Sequence, residues 1–271
     1  MDGVNALNIL VSIKQVPESS NVKMDRETGT VIRTGVETVV NPLDLYAIET
    51  ALRLKEQYGG LVTAISMGPP LAMRVLREVA AMGCDRCVLL SDKKFGGADT
   101  WATSYTLARG TEKFGPFDII VTGERATDGD TAQVGPALAS WLGIPVLTYV
   151  SKITEITGGS IRAERLVEEG YETAETQIPC LITVVKEIAV PRLPTLKGKI
   201  SSREMEIPVF SADDLDLDHS CLGLKGSPTR VVKIETPAIS RGGRMVVIKD
   251  EESLSQAVDQ LMALFAEKGF V

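Results

Sequence analysis

Short apolar runs alternate with helix-period segments through the first 150 residues, and this alternation limits the fold more than any other feature. Residues 7–13, 61–67, 87–91, 117–122 and 146–150 are brief, largely apolar and rich in β-branched side chains. Such runs suit strands buried on both faces. Between them, Leu45, Ile48, Ala51 and Leu52 recur at helical spacing, as do Leu71, Val75, Leu76 and Val79. Trp101, Tyr105 and Leu107 mark a third helix, and Val134, Ala137, Leu138, Trp141 and Leu142 a fourth. Short connections between strand and helix predict an α/β chain with a doubly wound, mainly parallel sheet of the Rossmann-like, adenine-nucleotide-binding kind. Ligands of such sheets bind beyond the carboxyl ends of the strands, near a switch in strand order.

The stretch 117–142 carries the richest chemistry. Gly123 ends its strand, Asp128, Gly129 and Asp130 are turn chemistry, and a helix is expected from near Thr131, with Asp130 and Gln133 spaced as a capping box. A helix N-terminus offers free N–H groups and a positive dipole end, and the small residues Gly129, Thr131 and Ala132 would let a phosphate come close. Arg125 would add a charge-assisted bond. Alternatively Asp128 and Asp130 occupy those N–H groups themselves, and the loop alone leaves both readings open. Three other strand ends fall on the same rim: Ser12-Ile13-Lys14, Met67-Gly68-Pro69, and Phe95 with Gly96, Gly97, Ala98, Asp99 and Thr100, where Asp99 suits an N-cap.

Asn41 and Pro42 open the first helix as N-cap and first helical residue, with Asp44 in its first turn. A hairpin is expected over residues 21–34. After residue 151 the chain alternates as a β-ribbon, with turns at Gly158-Gly159 and Gly170, before a buried strand over 181–185. The helical and strand signals then weaken. Residues 1–189 therefore read as an α/β nucleotide-binding domain. Residues 190–271 read as a partner-recognition loop and a C-terminal arm, closed by a helix presenting Leu254, Val258, Leu261 and Met262.

The net charge of −7 comes without any basic tract, which argues against a nucleic-acid partner. No apolar run approaches the roughly 20 residues of a membrane span. The first residues lack the basic flank of a signal peptide, so a cytoplasmic protein is expected. Cys84, Cys87, Cys180 and Cys221, with the single His219, are too scattered for a zinc site, and the cysteines are expected to be buried rather than metal-bound.

Several ordered motifs together have a familiar form: Val11-Ser12-Ile13-Lys14-Gln15-Val16-Pro17, Asn41-Pro42-Leu43-Asp44, Met67-Gly68-Pro69, Ala81-Met82-Gly83, the run from Gly123 to Gly135, and Pro191-Arg192-Leu193-Pro194-Thr195-Leu196. Over nearly its whole length the chain resembles the β subunit of electron-transfer flavoproteins. The resemblance implies a heterodimer with an α subunit that carries one FAD. In ordinary members the β subunit holds AMP. In the electron-bifurcating group its pocket holds a second FAD, which takes a hydride from NADH and passes electrons to the α-subunit FAD and a low-potential acceptor. The stretches 95–100 and 128–136 are most similar to the bifurcating group. Glu124 and Thr127 depart from its usual residue types.

Carried over by position, the nucleotide site would use Ser12, Asn41, Pro42, Leu43, Asp44 and Met67. It would also use the whole loop of Gly123, Glu124, Arg125, Ala126, Thr127, Asp128, Gly129, Asp130, Thr131, Ala132, Gln133 and Val134. Residues 95–100 would reach an extended flavin, with Asp99 or Thr100 hydrogen-bonding it. Leu196 matches the exposed anchor leucine through which the family recognises an acyl-CoA or other flavin-dependent dehydrogenase. The resemblance assigns no acid or base, since the cofactor does the chemistry. Two alternatives remain at this point: an ordinary carrier subunit with structural AMP, and a free-standing adenine-nucleotide sensor.

Overall fold

A computed structural model of the chain describes residues 6–18, 37–232 and 245–271, and the hairpin expected over 21–34 lies outside them. In chain order the elements are β1 (Leu7–Ser12), β2 (Gln15–Pro17), β3 (Thr38–Val40), α1 (Pro42–Tyr58), β4 (Gly60–Met67), α2 (Met73–Met82), β5 (Arg86–Leu90), α3 (Thr100–Phe114) and β6 (Ile119–Gly123). Then follow α4 (Val134–Leu142), β7 (Val146–Thr157), β8 (Ser160–Val167), β9 (Gly170–Gln177), β10 (Cys180–Val184), α5 (Leu196–Glu204), β11 (Val209–Phe210), α6 (Gly223–Gly226) and α7 (Glu251–Glu267).

The main sheet runs β11-β5-β4-β1-β6-β10-β7-β8-β9. It is parallel from β11 to β7 and antiparallel through β8 and β9, the expected ribbon. The chain builds outward from β1 to β4 and β5, then returns to lay β6 on the opposite side of β1. The order therefore reverses between β1 and β6, where helices leave on opposite faces, the position at which sheets of this kind bind their ligands.

Period-two alternation sends successive strand residues to opposite faces. Ile9, Val11, Ile119, Val121 and Ile182 join a core under α1 and α2, while Leu10, Ile120 and Leu181 join a second core under α3 and α4. All eight side chains are buried, each stabilising the fold by about 1.5–3 kcal/mol. Helix α1 starts at Pro42 and stops at Gly59, whose φ of +77° suits glycine. Leu71, expected on the core face of the second helix, is instead 48% exposed, because Pro70–Ala72 form a 3-10 turn ahead of α2. Cys84, Cys87 and Cys180 are buried free thiols, and burial pushes Cys87 and Cys180 up to about 12.

Contacts group the described residues up to Val232 in one unit and residues 245–271 in a second. Residues 190–232 stay with the sheet because β11 pairs with β5 and Thr229 bonds Asp99. In the second unit, Asp250 and Ser253 form a capping box at the start of α7, and Leu254, Val258, Leu261 and Met262 remain about half exposed. No described helix is long and apolar enough to cross a membrane.

Candidate functional site

Three separately encoded pieces meet where the strand order reverses: the end of β1, the start of α1 and the loop after β6. The fully buried Asn41 joins them. Its side-chain amide donates to the Asp44 carboxylate at 2.9 Å and to the Arg125 carbonyl at 2.9 Å, and its side-chain oxygen accepts from the Thr127 amide at 3.2 Å. Asn41 holds the N-cap position but makes no side-chain cap bond, contrary to the sequence expectation. Its amide ties α1 to the loop instead. The Asp44 carboxylate also accepts the Lys14 backbone amide at 2.7 Å. Burial pushes this carboxyl up to about 7, although the Asn41 side chain and the Lys14 and Gly123 amides pull the other way.

Gly123 is required by close approach. A Cβ there would stand 2.5 Å from the Asp44 carboxylate and 2.9 Å from the Leu43 carbonyl. Gly135 plays the same part for α4, where an added Cβ would meet Thr183 at 2.7 Å and Thr122 at 3.0 Å. These two glycines seat the first turns of α1 and α4 directly on the sheet.

The loop between β6 and α4 differs from its expected form. Helix α4 begins at Val134, not near Thr131, and among the described residues no side chain caps it. The expected box fails because Asp130 adopts φ +54° and its carboxylate faces the Arg125 guanidinium at 3.1 Å. Ala132 is also left-handed, at φ +54°. Strain of this kind costs about 1–3 kcal/mol per residue and gathers at ligand sites. Left-handed turns of this sort direct backbone N–H groups into anion-binding concavities. Gly129 faces open space, with no atom within 4 Å of a Cβ placed there.

The acidic side chains of the loop are paired. Asp128 meets the Lys14 ammonium at 2.6 Å, and Arg125 stands 3.5 Å from Glu124 as well as beside Asp130. Burial pushes the Glu124 carboxyl up, opposed by Arg125. Neither Asp128 nor Asp130 caps α4, and its first amides carry no side-chain cap among the described residues.

The stretch 95–100 lies beside this loop. The Thr100 hydroxyl bonds the Gln133 side-chain oxygen at 3.0 Å, bringing the starts of α3 and α4 together. Asp99 caps α3, as expected, through the Trp101 and Ala102 amides. Its other oxygen accepts the Thr229 amide and hydroxyl at 3.0 and 2.7 Å. Burial raises this carboxyl, but those bonds outweigh it and hold the group below its ordinary value. Phe95 is buried in the core under α3 and α4. The backbone at Gly96 accepts from the Leu224 amide, and Gly97, at φ +72°, packs on Leu224.

The structure thus joins Asn41, Asp44, Arg125 and Thr127 in one hydrogen-bonded group and Thr100 with Gln133 in a second, with Ser12 and Met67 at the ends of the adjacent strands β1 and β4. Leu196 stands apart, at the start of α5 on α2, and is 77% exposed. Sequence reasoning placed Lys14 at a strand end but gave it no role. Its partner lies 114 residues away, and only the strand-end position hinted at the pair.

Comparison with known proteins adds independent findings. The family described as electron transfer flavoprotein domain matches residues 28–215. The chain is 47% identical over 256 residues to the electron transfer flavoprotein subunit beta of Thermoanaerobacterium thermosaccharolyticum, covering 94% of this chain and 98% of that one. It is 42% identical over 266 residues to the caffeyl-CoA reductase-Etf complex subunit CarD of Acetobacterium woodii, covering 98% and 100%. Protein FixA of Azorhizobium caulinodans is 44% identical over 239 residues, covering 86% and 85%.

Proposed function

The chain belongs to the electron transfer flavoprotein family as a β subunit, the partner of an α subunit, and from that premise we propose that the rim at the β1–β6 reversal binds FAD in an NADH-oxidising, bifurcating complex. The observation that carries the site is the start of α4, free of any described side-chain cap and preceded by the left-handed Asp130 and Ala132. Amides so arranged suit phosphate oxygens.

The residues fit such a group. Thr131 to Gly135 supply the loop and first-turn backbone, while Lys14 and Arg125 supply positive charge once their carboxylate partners yield. Gly129 leaves room for close approach. Asn41 and Asp44 fix the loop, and Ser12, Met67 and residues 95–100 border the space beyond it. A bound flavin supplies the hydride-accepting and electron-passing chemistry. The chain's part is to hold the ring system, orient it and set the charge around it. Leu196 is proposed as the contact for a flavin-dependent dehydrogenase. Its exposure supports this, as does the name of the CarD relative, a reductase-Etf complex subunit.

One observation favours a second reading, structural AMP in the same place. Phe95 is buried and Asp99 is engaged with α3 and Thr229, so residues 95–100 offer a flavin less than their sequence suggests. Nucleotides extracted from the complex purified with its α subunit decide between the two. Two FAD per heterodimer are expected. One FAD with one AMP would establish the second reading, and no β-bound nucleotide would reject the site.

A further inference from the structure

Four large apolar side chains stand in solvent on one short segment: Val190 at 80% exposure, Leu193 at 86%, Leu196 at 77% and Ile200 at 54%. A segment so exposed ordinarily moves freely. Here its backbone is fixed from below. The Arg192 amide and Nε both donate to one Glu49 oxygen, at 3.1 and 2.7 Å, and Nη2 reaches the other at 3.2 Å. Its two terminal nitrogens also meet Glu56, one turn pair further along α1. Glu49 is 4% exposed and takes a further bond from Arg53 at 2.7 Å. The guanidinium therefore makes a fork onto two carboxylates, the geometry that distinguishes arginine from lysine.

The far side of the segment is held equally. The Thr195 hydroxyl accepts the Gly198 amide at 2.9 Å, and Gly198 lies so close to α2 that a Cβ would meet the Ala81 carbonyl at 2.1 Å. Arg77 of α2 donates to the carbonyls of Ser202, Arg203 and Met205 at the end of α5. The leucines thus project from a backbone anchored on both flanks. An exposed segment held in place before it meets its target avoids the ordering cost of binding.

We propose that Arg192 is a positioning residue for partner docking: its fork onto Glu49 and Glu56 fixes the backbone that presents Leu193 and Leu196. This rests on the reading that a dehydrogenase docks at Leu196. Arg192 itself is turned toward α1, acting through the leucines rather than on the partner.

The test uses the αβ complex, with an acyl-CoA dehydrogenase reduced by its acyl-CoA as electron source. Amide hydrogen exchange over residues 190–196 is measured beside KM for the dehydrogenase, kcat and bound-nucleotide content. Arg192→Ala should speed exchange and raise KM about tenfold, the equivalent of ordering one or two side chains on binding, with kcat and nucleotide content unchanged. Arg192→Lys should fall between, having a point charge but no fork. Leu196→Ala should raise KM without altering exchange. If Leu196→Ala raises KM while both Arg192 variants leave it unchanged, the positioning role is overturned and docking stands. If Leu196→Ala has no effect, the docking reading falls and this inference with it. Should Arg192→Ala not fold, Glu56→Ala removes only the outer half of the fork, and unchanged exchange and KM in that variant would overturn the proposal.

Discussion

The Lys14 ammonium lies 2.6 Å from the Asp128 carboxylate, joining the end of β1 to the loop after β6 across the reversal in strand order. The two side chains are 47% and 30% exposed, so the pair contributes only about 0–1 kcal/mol to the fold. In the proposed nucleotide site the pair acts as a poised charge. Lys14→Ala should weaken AMP binding to the nucleotide-stripped αβ complex about tenfold, since a hydrogen bond to a charged group is worth about 1.5–3 kcal/mol, with little change in Tm. Asp128→Asn should act in the opposite sense, freeing the cation. Titration calorimetry at low salt checks both signs, and equal affinities for Lys14→Ala and the parent would remove Lys14 from the site.

Asp44 makes stability depend on pH. Burial raises its carboxyl from 3.8 to about 7 in the folded chain. Between those values the folded state keeps a proton that the unfolded chain releases. The contribution is therefore complete below about pH 3.8 and is lost as pH rises through about 7. Asp44→Asn should remove this slope and cost about 1–3 kcal/mol at pH 5, because its amide cannot accept every donor facing it. Urea denaturation at pH 5 and pH 8 measures both, and a slope that survives in Asp44→Asn would assign the titration elsewhere.

Gly129 separates folding from binding. Nothing lies within 4 Å of a Cβ placed there, so Gly129→Ala should change stability by less than about 1 kcal/mol. Gly129→Glu should leave the fold intact but lower nucleotide occupancy, by crowding and by adding negative charge beside the α4 start. Extracted nucleotide per heterodimer reads the difference, and full occupancy in Gly129→Glu would displace the phosphates from this loop.

Gly135→Ala should do the reverse. Its Cβ would press on Thr183 and Thr122, lifting α4 from β6 and β10 at a cost of about 1–3 kcal/mol. The first-turn amides move with the helix, so nucleotide content should fall together with Tm. A variant that keeps both would show that α4 tolerates the shift.

The strands were legible because their apolar runs are short, β-branched and bounded by glycine or proline. The parallel arrangement followed from the helices between them. The start of α4 was not legible, because Asp130 and Gln133 have capping-box spacing while the actual conformation depends on Arg125 and on two left-handed residues. Asn41 was placed correctly at the helix start, but its partners Arg125 and Thr127 are distant in sequence and leave no local trace. The same holds for Arg192, whose carboxylates lie on α1, and for β11, two residues long and recruited by an edge strand. Local periodicity encodes elements; pairings across the sheet are set by topology.

Asn41 also imposes an order of events during synthesis. Arg125 and Thr127 are added 84 and 86 residues after it. On the ribosome, every residue of α1 is in the chain while the Asn41 amide still lacks both partners. Translation past β6 supplies them, so a nascent chain halted before Thr127 carries the residues of β1 and α1 but cannot complete the bonds of Asn41. A pause taken once Thr127 has cleared the ribosome would give these bonds time to form before the ribbon and the remaining strands emerge.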